Sequence, residues 1–424
     1  MHVGRRLAAI RVRHGISQDE MAKDIISRGH YSNIESGRYQ VMDDLMQSFA
    51  IKIKLPISYL RDIDVKDEKL ESDLLLLDKS VEDKDFKRAD QLVEEITENY
   101  PYINSIEQEF YFYLIRAGYY LLNENMDEAQ KILEEKIKIY ANDEEAIPNK
   151  YLFLYYYTMG LWYQQSGIFP ISEEYYEKAS NVAESNIQKA KLDYNRAMNH
   201  YSINKLKTAV SFATRSLGRY MEEEKMQQIA KIYVLLGALY WELEMLAVSE
   251  SVLMKGLEVT KTYKYSNLEE KIYNNLGLVY GSRNDFKNAM VYFNKSIDLK
   301  VKNNYDTLVF TYINLLEFLI SAERSEESIE ILNKVKKLQL KDEEQFYVME
   351  SEAKLNFLLG NYDEYERLIE KVIRYYDENN HYRFLISICR KYSDYLATNY
   401  KYKDAYHYAK VAFIAQDKLK ERRE

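Results

Sequence analysis

The sequence predicts an all-α protein with a head of short helices over residues 1–61 and an array of helical hairpins over residues 62–424. Only 4 Pro and 13 Gly occur among 424 residues, far below their average usage of about 5% and 7%. Leu, Lys, Glu and Ala are abundant and no sustained Val/Thr alternation occurs, which favours helices over strands. Residues 1–61 carry 10 Lys and Arg against 6 Asp and Glu, whereas residues 62–424 carry 49 against 62. A small basic part therefore precedes a large acidic one.

The first part is predicted to contain five short helices between residues 4 and 60. The second of them begins in the sequence SQDE, where Ser17 and Glu20 form a capping box that satisfies backbone amides. Gly29 either interrupts the following helix or starts it. Tyr31 and Ile34 share the apolar face of that helix, so we expect them in the core. These features predict that the second and third helices are short and joined by a tight turn.

The second part repeats a segment of about 40 residues, as in KDFKRADQLVEEI, ENMDEAQKILEEK, NKLKTAVSFATRS, NDFKNAMVYFNKS and YKYKDAYHYAKVA. One position early in the second helix of each unit is small in eight units of nine. This series is Ala89, Ala129, Ser172, Ala209, Ser249, Ala289, Ser328, Tyr365 and Ala405. A second position twelve residues upstream is small in seven units. That series is Leu77, Ala117, Gly160, Ala197, Gly237, Gly277, Leu316, Ala353 and Ser393.

Small residues at two fixed positions predict that the two helices of each unit cross closely, because both must lack bulk where they meet. Nine such units account for residues 65–424. Irregular helical packing without true repeats is the alternative.

The head resembles the five-helix, lambda-repressor-like DNA-binding domain of phage-repressor-type (Cro/C1, or XRE) regulators. The segments SQDEMA, HYSNIESGR and MDDLMQSFAIKIKLPISYL carry this resemblance over about 60 residues. It implies that the second helix of the helix-turn-helix (HTH) motif lies in the major groove of double-stranded DNA. The candidate DNA contacts are Gln18, Arg28, His30, Ser32, Asn33 and Arg38. A solvated helix face is the alternative for each of them. The modest charge of the head favours a dimer on a palindromic operator.

The body resembles the tetratricopeptide (TPR) repeat, through NNLGLVY at residues 274–280 followed by FKNA at residues 286–289. A period of about 40 exceeds the usual 34 residues, so longer helices are expected. The resemblance implies a right-handed solenoid with a concave face, whose last unit, ending in KLKERRE, caps the array.

An HTH head before a TPR body of this length resembles the RNPP family of Gram-positive bacteria. Members of that family are cytosolic regulators that bind short signalling peptides, and about 420 residues with nine repeats look most like its NprR-type members. Rap members share the body but begin with a helical bundle that does not bind DNA. The segment IESGR stands here where a Rap protein would not have it.

Asparagine can clamp an extended peptide, because its amide both donates and accepts hydrogen bonds. Asn195, Asn275 and Asn314 each stand two residues before the upstream small site and are predicted to face the groove. A hydrogen bond to a neighbouring turn is the alternative for each. YNRA at 194–197 and YNNL at 273–276 resemble the peptide-clamping segments of the family, which adds Arg196 and Asn274. Further candidates are Arg116 for a carboxylate, Lys231 and Lys271 at the groove edge, and Trp162 and Trp241 as apolar walls.

No catalytic set can be assembled from the sequence. It contains no GxxxxGK[ST] phosphate loop, no strand-led GxGxxG and no HExxH motif, and its six histidines are scattered. Cys389 lies in the apolar stretch LISICRKY and is expected to be a buried structural thiol. We expect no enzyme activity, no cofactor and no metal. A single cysteine, no signal-peptide pattern and no apolar run of about 20 residues favour a cytoplasmic protein without a membrane span.

The function predicted from these features is a quorum-sensing transcriptional regulator. A short signalling peptide in the TPR groove would control the binding of DNA by a homodimer or a tetramer. One alternative is a Rap-like inhibitor that binds a phosphorelay response regulator, a role that could coexist with the first. Another is a peptide-independent repressor whose TPR body is a scaffold for a protein partner.

Overall fold

The structure is a computed structural model that describes residues 2–141 and 147–421, and these residues form helices joined by short turns. Backbone contacts divide the chain into two compact units, Met1–Ala183 and Glu184–Glu424. The predicted all-α class is confirmed. The boundary at residue 61 marks a change of sequence pattern and stays a prediction, because the first compact unit includes the head together with three hairpins.

The head contains the five predicted helices and buries a core of its own. These are α1 (Val3–Arg13), α2 (Gln18–Ala22), α3 (Arg28–Glu35), α4 (Asp43–Ile53) and α5 (Ile57–Arg61). Tyr31 and Ile34 are fully buried as predicted, and the Tyr31 ring lies 5.4 Å from the ring of Phe49. Ser17 accepts a hydrogen bond from the amide of Glu20 at 3.1 Å, which is the Ser17 half of the expected capping box.

The rest of the first unit forms three hairpins, and its middle hairpin contains a π-helical turn over Leu133–Ile137. Its helices are α6 (Glu68–Glu82), α7 (Phe86–Asn99), α8 (Ile106–Leu122), α9 (Met126–Ile132), α10 (Lys138–Ala141), α11 (Asn149–Gln165) and α12 (Phe169–Val182).

The second unit forms six hairpins of consecutive antiparallel helices. They are α13 (Asn186–Ser202), α14 (Leu206–Glu222), α15 (Met226–Glu242), α16 (Leu246–Tyr263), α17 (Ser266–Ser282), α18 (Phe286–Asn303), α19 (Leu308–Ser321), α20 (Ser325–Val335), α21 (Asp342–Leu358), α22 (Tyr362–Glu378), α23 (Tyr382–Thr398) and α24 (Tyr402–Glu421). The charged segment KLKERRE, predicted to cap the array, extends beyond the described residues, which end at Glu421.

The small residues mark the crossing point of each hairpin, as predicted. All nine residues of the second-helix series are buried. The hydroxyl of Ser172 donates to the carbonyl of Gly160 at 2.7 Å, and Ser249 donates to Gly237 in the same way. A Cβ atom on Gly237 would lie 2.3 Å from the Leu253 side chain. At Gly237 the helices therefore approach too closely to admit a larger residue without a shift of Leu253.

A buried polar network joins the head to the first two hairpins. Arg6 of α1 is completely buried. Its Nη1 donates to the carbonyls of Tyr59 and Asn104, both at 2.5 Å, and its Nη2 lies 3.1 Å from the Glu109 carboxylate. The hydroxyls of Tyr59 and Tyr140 donate to the same carboxylate. Although burial opposes the charge of Arg6, the carboxylate of Glu109 raises its pKa above the usual value. The buried ion pair thus has hydrogen bonds with Tyr59 in the head, with Tyr140 in the second hairpin and with the loop that precedes that hairpin.

Left-handed residues end many of the helices and set the turns between them. Gly167 and Gly360 take this conformation, but so do Glu224, Glu244 and Asn284, among others. The turns therefore recur with few glycines, although a non-glycine residue pays a conformational cost at a positive φ.

Candidate DNA-binding and peptide-binding sites

The helix α3 presents the polar residues that the HTH resemblance assigns to DNA. Ser27 caps this helix by accepting a hydrogen bond from the amide of His30 at 3.3 Å. Gly29 is the second residue of the helix, so it belongs to the helix start and does not interrupt it. A Cβ atom there would meet nothing within 4 Å. The first turn of α3 is thus open on its outer side.

The six predicted DNA contacts differ in exposure. Four are exposed, and they are Arg28, His30, Ser32 and Arg38. Asn33 is half-buried, as is Gln18. The guanidinium of Arg28 lies 3.4 Å from Asp19 in an ion pair open to solvent, which contributes about 1 kcal/mol or less and leaves Arg28 available to another anion.

A hydrogen-bond network that the sequence analysis missed orients Gln18. Its amide nitrogen donates to the Glu35 carboxylate at 2.6 Å, and Arg11 donates to the same carboxylate from Nε at 2.6 Å. Hydrogen bonding to Glu35 raises the pKa of Arg11. Glu35 therefore connects α1, α2 and α3, and holds Gln18 at the amino end of α2 beside the predicted recognition helix.

Close packing of α1 on α3 fixes the angle between these two helices. A Cβ atom on Gly4 would lie 1.8 Å from the carbonyl oxygen of Ile34. Because that atom belongs to the backbone, it cannot move aside as a flexible side chain could. Gly4 is thus required for the present position of α3.

The second unit contains a cavity of about 870 Å³ between helices α15, α17, α19, α21 and α23. Its walls include the aromatic residues Trp241, Phe310, Phe318, Tyr347 and Phe384. Phe310 and Phe384 are 42% and 45% exposed, so a large apolar area faces the opening. A ligand with apolar side chains could cover this area.

Three of the predicted asparagines form a chain at one side of this cavity. Asn314 lines the cavity, and its amide donates to Asn274 at 3.1 Å. Asn274 donates to Asn275 at 3.3 Å, and Asn275 donates to the Val234 carbonyl at 3.4 Å. These amides therefore link neighbouring helices, which differs from the alternative of a bond to a turn. Trp241 also lines the cavity and donates from its indole to Ser282 at 2.9 Å.

The other predicted groove residues lie elsewhere. Asn195 is buried in α13. The guanidinium of Arg196 stacks 4.4 Å from the centre of the Phe212 ring. Arg116 belongs to the first unit and lines a different cavity there. None of the three lines the cavity that holds Asn314.

Two carboxylates at the cavity share one ammonium group. The Nζ of Lys354 lies 3.0 Å from Glu317 and 2.9 Å from Glu350, and Ser351 donates to Glu317 at 2.5 Å. Burial lowers the pKa of Lys354, but the two carboxylates outweigh burial and leave the pKa above its usual value. The cluster keeps one negative charge in excess. It lies beside the aromatic walls and provides acceptors for a ligand cation.

Most of these lining residues were not predicted from the sequence, although one signal points to Ser351. This residue stands two positions before the upstream small site Ala353, as Asn275 and Asn314 stand before theirs. The prediction for that position included only asparagine, so Ser351 was left out. The aromatic walls gave no such signal, because 41 tyrosines and 15 phenylalanines are spread along the chain.

Cys389 is completely buried, as predicted, and burial raises the pKa of its thiol to about 12. The reactive thiolate is therefore strongly disfavoured. In the part of the chain that the structure describes, no helix is both long and apolar enough to cross a bilayer.

Comparison with protein-family models matches residues 7–60 to the helix-turn-helix family and residues 270–303 to the tetratricopeptide repeat. The first match contains all the predicted DNA contacts. The second contains Asn274 and Asn275. Both resemblances inferred from the sequence are thereby confirmed.

Among curated proteins, the chain is similar to the transcriptional activator NprA of Geobacillus stearothermophilus. The two are 22% identical over 93% of this chain and 98% of NprA.

Solved structures of low sequence identity share the fold. A Rap protein complexed with Competence and Sporulation Factor matches with a TM-score of 0.67 and 15% identity, over 84% of this chain and 100% of the Rap chain. The quorum sensor NprR from B. thuringiensis, in its apo form, matches with a TM-score of 0.62 and 17% identity, over 82% of this chain and 99% of NprR. NprR in complex with its cognate peptide NprX gives 0.59 and 16%, over 83% and 99%. The chain thus combines a helix-turn-helix head with a tetratricopeptide-repeat body. It is similar to NprA in sequence and to NprR and Rap proteins in fold. These findings confirm the predicted resemblance to the RNPP family.

Proposed function

We propose that this protein is a cytoplasmic transcriptional regulator whose DNA binding is controlled by a short signalling peptide. The head binds double-stranded DNA through α3, and the peptide occupies the cavity of the second unit beside Asn314. The proposal assigns no catalytic step to the chain.

The observation that carries the proposal is the composition of that cavity. Trp241, Phe310 and Phe384 offer apolar surface, while Asn314 can pair with a peptide backbone. The excess negative charge of Glu317 and Glu350 suits a basic side chain or the peptide's amino terminus. A short peptide with apolar residues and one positive charge satisfies all three features.

The comparisons support both halves of the proposal. NprA is a transcriptional activator, and NprR is a quorum sensor that was solved with its cognate peptide NprX. The similarity to NprA extends over nearly the whole of both chains, so it includes the head and the body.

Calorimetric titration of the full chain with short synthetic peptides, taken from an open reading frame neighbouring the gene, tests the peptide site. We expect Asn314→Ala to weaken binding about tenfold, which corresponds to about 1.4 kcal/mol and to the loss of one or two hydrogen bonds. Asn379→Ala is the matched control, because Asn379 is exposed in the same unit and does not line the cavity. Equal affinities for both variants and the parent would place the peptide elsewhere.

The DNA half is tested by gel-shift titration against the promoter region of the neighbouring genes. Arg28→Ala and Ser32→Ala should weaken binding, whereas Lys87→Ala, which removes an exposed cation outside the head, should not. We further propose that a homodimer binds a palindromic operator, with one head on each half-site. A footprint on the operator should then cover two equal half-sites. Binding that is insensitive to both head substitutions would contradict the assignment of α3.

A second candidate is the binding of a phosphorelay response regulator, and the similarity of fold to Rap proteins favours it. A pull-down with purified response regulators, with and without the peptide, tests this role. Release of a retained regulator by the peptide would support it, and failure to retain any regulator would remove it.

A further inference from the structure

A second cavity, of about 450 Å³, lies in the first unit where the head meets the first two hairpins. From the head, α1 contributes Arg13 and the turn after α4 contributes Lys54. From the hairpins, α8 contributes Arg116 and the π-helical turn contributes Lys136. The cavity is thus lined by positive charge from both parts of this unit, and its lining includes none of the residues of the proposed peptide cavity and none of the predicted DNA contacts.

Three of these cations are not balanced by ion pairs with the residues that the structure describes. Within residues 2–141 and 147–421, no carboxylate forms an ion pair with Arg13, Arg116 or Lys136. Among the described residues that line the cavity, Glu109 is the one acidic residue, and its carboxylate is already bound by Arg6 and by two tyrosine hydroxyls. The Nε of Arg116 is buried without a hydrogen-bond partner. A cluster of like charges with an unpartnered buried donor is costly unless an anion occupies it.

Burial and neighbouring positive charge both act on the pKa of Lys136. Burial, then the charge of Arg13, lowers the pKa of Lys136 to about 8, and Arg116 acts in the same direction. Glu109 and Glu135 oppose the shift without cancelling it.

Aromatic rings form part of the remaining wall, together with aliphatic residues such as Ile53 and Leu55. The ammonium of Lys136 lies 4.9 Å from the centre of the Tyr113 ring, and the guanidinium of Arg116 lies 5.3 Å from that of Phe112. The rings of Tyr59 and Tyr102 are 5.4 Å apart on the same cavity. Flat apolar surface therefore adjoins the cationic groups.

We propose that this cavity binds a small phosphorylated molecule with a flat ring, whose phosphoryl group contacts Arg13, Arg116 and Lys136. A phosphoryl group carries more than one negative charge and several acceptor oxygens, so it can engage three cations, whereas a single carboxylate would leave charge uncompensated. The volume lies within the usual range of about 300 to 1,000 Å³ for small-molecule sites. Because the occupant would contact both the head and the hairpins, it would stabilise the junction between them.

Calorimetric titration of the full chain at pH 7 with AMP, inorganic pyrophosphate and adenosine tests the proposal. AMP should bind and adenosine should not. Arg13→Gln and Lys136→Met should each weaken AMP binding at least tenfold. Arg13 is exposed, so its substitution should not disturb folding. Lys131→Met is the matched control on the same hairpin, and Arg38→Gln is the control for binding at the DNA face; both should leave the affinity unchanged.

Two further measurements distinguish the outcomes. Pyrophosphate binding as tight as that of AMP would support the phosphoryl site and contradict a role for the flat ring. AMP affinity should fall from pH 7 to pH 9, because Lys136, whose pKa is lowered to about 8, loses its proton over this range. The proposal is overturned if neither phosphorylated probe binds, if adenosine binds as well as AMP, or if the double variant of Arg13 and Lys136 binds AMP normally.

Discussion

Two kinds of close contact in this molecule depend on different chemistry. One is the junction between the head and the hairpins, and the other is the crossing point within each hairpin. At the junction, the buried Arg6 and Glu109 form an ion pair with tyrosine hydroxyls around it. At the crossing points, small residues such as Gly277 and Ala289 let the helix backbones approach. The first arrangement depends on specific partners. The second recurs every 40 residues and depends on the absence of side-chain bulk.

The largest effect is expected from breaking the junction. Glu109→Ala leaves the buried charge of Arg6 without its counter-ion, so we expect a loss of about 3 to 5 kcal/mol of stability in the first unit. Urea unfolding with hydrogen exchange of α1 and α8 measures this loss. Glu364→Ala, which breaks the exposed pair with Arg367, should cost less than about 1 kcal/mol.

The double variant Arg6→Met with Glu109→Met sharpens the same comparison. Because it removes both charges together, it should recover part of the stability lost in Glu109→Ala. A double variant less stable than Glu109→Ala would show that packing at this junction, and not its charge balance, determines the loss.

Filling a crossing point should have the next largest effect. A Cβ atom on Gly277 would lie 2.7 Å from the Phe293 ring, so Gly277→Ala forces the two helices of that hairpin apart, at a cost of about 1 to 3 kcal/mol. Gly218→Ala is the control, since nothing lies within 4 Å of its Cβ position. We expect it to stabilise the second unit by up to about 1 kcal/mol through helix propensity. Thermal unfolding of both variants measures the difference. If the unfolding temperatures of both variants moved in the same direction, the close approach of the helices at Gly277 would not explain the result.

The cationic cavity makes the stability of the first unit depend on pH. The folded pKa of Lys136 is about 8, below its unfolded value of 10.5, so between these values the unfolded chain binds more protons and stability rises with pH. Relative to Lys136→Met, the parent should therefore gain stability from pH 8 to pH 9.5. Urea unfolding at several pH values measures this gain. Equal pH dependence of the two proteins would show that Lys136 titrates normally.

The smallest effect concerns the turns. Glu244 has a φ of 58°, which costs a residue with a side chain more than it costs glycine, so Glu244→Gly should stabilise the second unit by about 0.5 to 1 kcal/mol. Asn284→Gly should have a smaller effect, because asparagine tolerates the left-handed conformation better than glutamate. Thermal unfolding would contradict this explanation if Glu244→Gly were destabilising.

The DNA-binding motif and the hairpins could be predicted because each depends on residues close together in sequence. Ser17 and Ser27 cap the helices of the motif from three residues away, and Ser172 and Ser249 each bond a residue twelve positions upstream. The period of the small residues follows directly from the helix lengths. Even so, a rule confined to asparagine missed Ser351, and Asn195 and Arg196 lie outside the cavity that holds Asn314.

By itself the sequence determined the helical class, the five-helix head, the nine hairpins and the residues on the outer face of α3. Local spacing encodes all of these, because helix periodicity, caps and repeats act over tens of residues. Only the tertiary structure decided that Arg6 meets Glu109, that Trp241 shares a cavity with Phe384, and that Arg13 approaches Lys136. These partners lie more than 100 residues apart, and the packing angles between helices, which set such contacts, are not written in any one segment.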